Sequence, residues 1–342
     1  MTLDQRFDRL LARRAAAEDR DAFRFSARYA TRLDGLVDET DRYLASAMAP
    51  IDSKYTERLR LQGTRVENQL KDRLGIYYPY LEFRRQGSVS NDTHIRYVSD
   101  VDVLAFPGLF VTLQMPQPNP IPYQGSPEDD LLLFRAKARA ELALAFPAVV
   151  VDDSGSTAIK LSGGSLACSV DVVPSSWYDT LEYARTRDET TRGVQVLNKD
   201  TRERVLNFPF TFNHRLDLHD RARSGAARRI IRLVKTLKAD LVEDSKPVAL
   251  SSYDICSFIY RMTGAWLSSD GYGARREATA CLVWLTLLLN DRPFRETLQV
   301  VDDSRPIFDG PEKTDALRLL HKELFELLDA SRASATPRVA AW

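Results

Sequence analysis

The chain has 342 residues, 28% of them charged and 44% hydrophobic, with Lys plus Arg and Asp plus Glu balanced at 48 each. That length buries a sizeable core and suits two domains better than one, and the neutral balance excludes recruitment of nucleic acid by a global positive field. Three scattered cysteines, and four histidines with no HxxxH pair, argue against a disulfide framework, a zinc cluster or histidine-based metal chemistry.

The N-terminal stretch "MTLDQRFDRLLARRAAAEDRDAF" is charged and helical in pattern, unlike a signal peptide. Residues Leu3 to Leu74 read as helix, with Phe25, Tyr29, Leu33, Leu36 and Val37 at helical spacing and a break at Pro50. The period changes at "YLEFRRQGSVS", and strands are expected around Tyr97–Phe106. Four prolines between Pro116 and Pro122 then mark a loop without regular structure. A helix fits "EDDLLLFRAKARAELALAF", whose first-turn acids complement its dipole.

"AVVVDD", "TAIKLS" and "SLACSVDVVP" read as three short strands, and "VQVLNKDTRERVLNF" as a hairpin turning at Asn198–Thr201. From about Leu216 the pattern is helical, with apolar faces over 219–243, 251–267, 275–291 and 312–331. The longest apolar run, "ACLVWLTLLL", is too short to span a bilayer, so the expected compartment is a reducing cytoplasm. The expected fold is α+β, divided into 1–215 and 216–342.

One constellation carries chemistry. In "SDVDVL", Asp100 and Asp102 lie two residues apart on a strand and share a face, while Val101 and Val103 point to the core. Two carboxylates roughly 7 Å apart along a strand repel each other unless a cation sits between them. Asp171, set among Val170, Val172 and Val173, is a third acid that is costly to embed without a partner. Gly87-Ser88 offers a turn whose backbone N–H groups and hydroxyl suit phosphate. Three carboxylates fit Mg²⁺ or Mn²⁺ and a phosphoryl-transfer site.

With these residues in place, "GSVSNDTHIRYVSDVDVL", "CSVDVVPSSW" and "RIIRLVKTLKAD" with "LSSYDICSFIYRM" resemble the DNA polymerase β-like nucleotidyltransferases. The best match is to the bacterial cGAS/DncV-like enzymes, the CD-NTases of anti-phage signalling. The resemblance implies a nucleotidyltransferase core with a mixed sheet, N-terminal spine helices and a C-terminal helical lobe, holding nucleoside triphosphates between the lobes. By that resemblance Asp100, Asp102 and Asp171 are the metal ligands, and Asp171 also helps activate the attacking hydroxyl. Gly87, Ser88 and Thr93 match the donor-phosphate motif. Lys235, with Lys238 as its rival on the same helix, matches the triphosphate-contacting lysine, and Ser252 and Tyr253 match a phosphate-binding and base-stacking pair.

Each residue also has a plainer reading. The lysines suit a solvated helix face, Tyr253 a core aromatic, and Ser251 or Ser252 a helix N-cap. His94 reads as a surface-loop histidine, and His214 and His219 as structural or solvated. The arginines at 12–14, 83–85 and 221–229 suit either solvated faces or contacts with phosphate or an activating partner.

The function implied is a cyclic di- or trinucleotide synthase. It takes ATP among its substrates and signals to a separate effector protein, with a regulatory partner allowed. Direct sensing of double-stranded DNA is not implied, because the Cys/His insertion that serves it is absent from the sequence. A linear oligoadenylate synthase or RNA or protein nucleotidyltransferase keeps the fold and changes the product. An inactive nucleotide-binding scaffold is the reading of another class.

Overall fold

The computed structural model describes residues 2–14, 38–96, 99–119, 121–262 and 273–334. In chain order the elements are α1 (Leu3–Arg14), α2 (Glu39–Met48), α3 (Ser53–Leu74), β1 (Glu82–Gln86), α4 (Gly87–Ser90), β2 (Val101–Phe106), β3 (Val111–Leu113) and α5 (Pro127–Ala145). Then follow β4 (Val150–Asp152), β5 (Ile159–Ser162), β6 (Val170–Asp179), α6 (Leu181–Thr186), β7 (Gly193–Asn198), β8 (Glu203–Asn207) and α7 (Pro209–Arg221). The last are α8 (Ala226–Glu243), α9 (Ser252–Tyr260), α10 (Ala274–Asn290), α11 (Arg292–Thr297) and α12 (Pro311–Ser334).

The chain divides into two compact units. One comprises Asp52–Asp92 and Val98–Arg215 and contains the eight strands. Its sheet runs β1-β2-β6-β5-β4, with β3 and β7 also on β6 and β8 on β7. β6 pairs parallel with β2 and β3 and antiparallel with β5 and β7, so the sheet is mixed. Alternation along the strands explains the burial. Val101, Val103, Val170, Val172, Ile159 and Leu161 all enter one core with Val66 and Leu70 of α3 and Phe134 and Leu142 of α5. On the opposite face Leu104, Phe106, Val173, Trp177 and Val194 form a second cluster, with the Phe106 and Trp177 rings stacked at 4.2 Å.

The other unit groups Met1–Ile51 and Thr93–Tyr97 with Leu216–Trp342. The described helices α1 and α2 thus belong to the helical unit and α3 to the strand unit. Buried polar contacts hold α1 and α2 there. Tyr43 donates to Asp240 at 2.7 Å and Arg232 to the Met48 carbonyl at 2.7 Å, while Arg14, donating to the Ala49 carbonyl at 2.8 Å, ties α1 to the end of α2. Arg13 also pairs with Asp240.

Pro50 does separate two helices: α2 ends at Met48, and Asp52 caps the start of α3. Phe25, Tyr29, Leu33, Leu36, Val37 and Tyr97 lie outside the described residues, as does the end of the helix expected over 251–267. Three local expectations change. The helix read over 219–243 is interrupted, because Ser224 and Gly225 adopt left-handed backbone (φ 51° and 81°) between α7 and α8. The proline-rich loop is preceded by β3, whose pairing with Trp177–Asp179 no local signal announces. His94 is fully buried rather than on a surface loop.

Candidate functional site

Strand register brings two of the three acids together. Asp102 lies directly opposite Asp171 in the parallel β2–β6 pair, and Asp171 lies opposite Lys160 in the antiparallel β5–β6 pair. On the other side Gln86 faces Asp102 across β1–β2, and Gly87 follows it. The flanking valines of both acidic strands, and Ile159 and Leu161 beside Lys160, are buried on the far face. The alternation therefore leaves Asp102, Asp171 and Lys160 no choice but to share the near one. Asp100 sits one residue before β2 and is half exposed, with its Oδ2 3.2 Å from Lys160 Nζ.

Electrostatics mark this row. Burial, then Asp171, then Asp100 push the Asp102 carboxyl up to about 7, against the pull of Lys160. Asp171 is raised as well, by burial first, with Lys160 opposing and Asp100 adding. Charge on either is costly without a compensating cation. Lys160 is the residue that reading the sequence missed; only the pairing of "TAIKLS" against "SVDVV" reveals it.

Among the described residues no three acidic, histidine or cysteine side chains close around one point as a finished metal cage. The donor chemistry nevertheless fits a hard divalent cation. Oδ1 of Asp171 is a buried acceptor with no hydrogen-bond partner, and its neighbours across the strands are a carboxylate and an ammonium.

Gly87 and Ser88 open the single-turn helix α4. Gly87 has φ 81°, and a β-carbon there would overlap Oδ2 of Asp102 and lie 3.0 Å from its Cγ. Only glycine combines that backbone with that neighbour.

The remaining candidates belong to the helical unit. Thr93 is buried, and its carbonyl accepts from Lys235 Nζ at 2.8 Å. Burial, with Lys238 and Arg232 nearby, holds the Lys235 ammonium below its usual range despite the opposing influence of Cys256. Lys238, half-buried, donates to the Leu250 carbonyl. Neither lysine lies on a solvated face.

Ser251, not Ser252, is the N-cap of α9, in a capping box with Asp254. Ser252 is exposed at the first helical position. Tyr253 is neither fully buried nor free: its hydroxyl donates to Asp302 at 2.6 Å, and Arg305 lies 5.9 Å over its ring.

The basic clusters are largely engaged internally. Arg228 pairs with Asp220 at 2.9 Å, Arg221 with Asp217 at 2.8 Å, and Arg229 with Glu277 at 2.6 Å. Arg84 pairs with Glu189 at 2.6 Å, and Arg85 with Glu67. His219 packs on Tyr260, and burial pushes its pKa down to about 4.

No protein-family model matches the chain. It is, however, 36% identical over 304 residues to the cyclic dinucleotide synthase CdnE of Yersinia aleksiciae, covering 88% of this chain and 77% of that protein. The chain belongs to this family, the CD-NTases. It is thus a nucleotidyltransferase that makes a cyclic oligonucleotide in anti-phage defence. A c-di-GMP synthase from Flavobacteriaceae sp. is 24% identical over 313 residues, 84% of each chain. The structure of the STING-associated CdnE c-di-GMP synthase from Capnocytophaga granulosa matches 98% of this chain and 100% of its own with a TM-score of 0.79 at 23% identity. The polymerase β-like fold expected from the motifs is the fold found. Among the described residues no helix is long and apolar enough to cross a membrane.

Proposed function

We propose that the product is a cyclic dinucleotide built from nucleoside triphosphates, ATP or GTP among them, at a site where Asp100, Asp102 and Asp171 hold Mg²⁺ or Mn²⁺. The observation that carries this is the register of Asp102 against Asp171, with the unpartnered Oδ1 of Asp171 beside it. GTP enters because the Flavobacteriaceae and C. granulosa relatives are c-di-GMP synthases.

Bound divalent cations supply charge neutralisation of the triphosphate and a lower pKa for the attacking ribose hydroxyl. The chain's own residues do the rest. Oδ1 of Asp171 is an acceptor for the proton of that hydroxyl, which attacks an α-phosphate as pyrophosphate leaves. A second such step closes the ring. Gly87 and Ser88 grip the donor phosphates, with Thr93 beside them in the family motif.

In the helical unit, Lys235 and Lys238 are the phosphate-binding candidates, and the lesser burial of Lys238 favours it. Ser252 is exposed for a phosphate contact, and the Tyr253 ring, anchored through its hydroxyl, is a platform for a base. The product acts on a separate effector protein, and the reading allows a regulatory partner.

The test is incubation with labelled triphosphates and Mg²⁺, followed by phosphatase. A cyclic dinucleotide keeps its label, and mass spectrometry of the survivor gives its bases. Label lost to phosphatase would assign a linear product; untouched triphosphates under every metal condition would make the chain a binding scaffold.

A further inference from the structure

Lys160 stands where the acid row, without metal, needs a cation. Its Cα is the register partner of Asp171, and its Nζ lies 3.2 Å from Oδ2 of Asp100. Among the described residues it is the one cation in an ion pair with any of the three acids. The buried neighbours Ile159 and Leu161 fix β5, so the lysine is held on the acid face by the strand itself and not by its own contact. Its side chain is 44% exposed, which leaves the four-carbon stem room to swing into solvent.

An ordinary surface ion pair of this exposure contributes little. Here, however, one ammonium faces three carboxylates whose mutual repulsion a divalent cation would otherwise relieve.

We propose that Lys160 is a positioning residue that stands in for the metal: its ammonium holds the acid row together while no metal is bound and must be outcompeted when the divalent cation enters. Metal affinity is thereby set below what three carboxylates alone would give. This rests on reading Asp100, Asp102 and Asp171 as the metal ligands.

The experiment is a calorimetric titration of the full chain with Mn²⁺ alone, without nucleotide, comparing wild type, Lys160→Met, Lys160→Arg and Asp100→Asn/Asp102→Asn. Lys160→Met is expected to bind Mn²⁺ about tenfold more tightly, because a like charge has left the site. Lys160→Arg should bind as wild type does. Structural damage would weaken binding, so a gain in affinity separates the role from a merely supporting one.

In parallel, the melting temperature of Lys160→Met in EDTA should fall below that of wild type, and the gap should narrow in Mn²⁺. Unchanged or weaker Mn²⁺ binding by Lys160→Met, with binding lost in the double Asp variant, overturns the proposal and leaves the site standing. Wild-type Mn²⁺ binding by the double Asp variant overturns the site itself, and this proposal with it.

Discussion

Gly87 and Asp102 occupy each other's space: the glycine's missing side chain is where the carboxylate of Asp102 lies. The Gly-Ser segment and the acid pair, written apart in the sequence, are thus one packed unit. Gly87→Ala is expected to force the Asp102 carboxylate aside and to strain a backbone at φ 81°, at about 1–2 kcal/mol of stability. Product formation should fall by about a hundredfold or more, since small displacements of reacting groups have effects of that size. Near-normal turnover by a folded Gly87→Ala enzyme would disprove the coupling.

Asp100→Asn/Asp102→Asn should abolish product while leaving the fold intact. Removing the charges relieves repulsion in the row, so the metal-free melting temperature should hold or rise. Residual cyclic product from the double variant would move the chemistry elsewhere.

The pH dependence of the metal-free protein follows from Asp102. Its carboxyl titrates at about 7 when folded, against 3.8 ordinarily. A raised folded value stabilises the fold while the group is protonated, fully below the unfolded value, and that contribution is lost as pH climbs through the folded one. In EDTA, stability should therefore decline between about pH 4 and pH 7, by a few kcal/mol at most on the scale of about 1.4 kcal/mol per unit. Melting curves across that range should flatten in Asp102→Asn. A metal-free midpoint that rises with pH in the wild type and not in Asp102→Asn would contradict the assignment.

Lys235→Ala has two expected effects. The Thr93 carbonyl loses a buried donor at a stability loss of about 1–3 kcal/mol. If the lysine also meets phosphate, the apparent affinity for triphosphate falls. Denaturant melts and nucleotide titrations separate the two, and destabilisation with unchanged affinity would hand the phosphate role to Lys238.

Asp240 is fully buried and receives Arg13, Arg6 and Tyr43. Asp240→Ala would leave Arg13 with Glu243 and Arg6 with Glu323 but deprive the buried Tyr43 hydroxyl of its acceptor, and should destabilise the helical unit by about 1–3 kcal/mol. Urea unfolding checks this; a loss under about 1 kcal/mol would mean that the network is solvated in practice.

What could be read in advance followed from patterns local to a few residues. Asp171 declared itself because an acid among valines is anomalous, and Asp100 with Asp102 because period two puts them on one face. The hairpin at Asn198 carried its own turn chemistry, with the Asn198 side chain accepting from the backbone of Asp200 and Thr201. Lys160 gave no such sign: a lysine in a short strand is ordinary until its partner strand is known. β3 is three residues long and exists through its pairing with β6, and Thr93 and His94 are buried by tertiary packing that no nearby polarity pattern encodes. The homes of Lys235 and Lys238 were hidden for the same reason. Each has its ammonium satisfied by a carbonyl distant in sequence.

The row running from Gln86 through Asp102 and Asp171 to Lys160 also fixes when the enzyme comes into being. Asp102 leaves the ribosome long before Asp171, and the parallel partner it needs is reached only after α5, β4 and β5 have been made. A nascent or truncated chain ending before β6 carries two acids and their lysine but no completed row. On the proposed reading of the row as the catalytic site, the capacity to emit an alarm signal is withheld from every fragment that stops short of the central strand, a safeguard written into the order of synthesis.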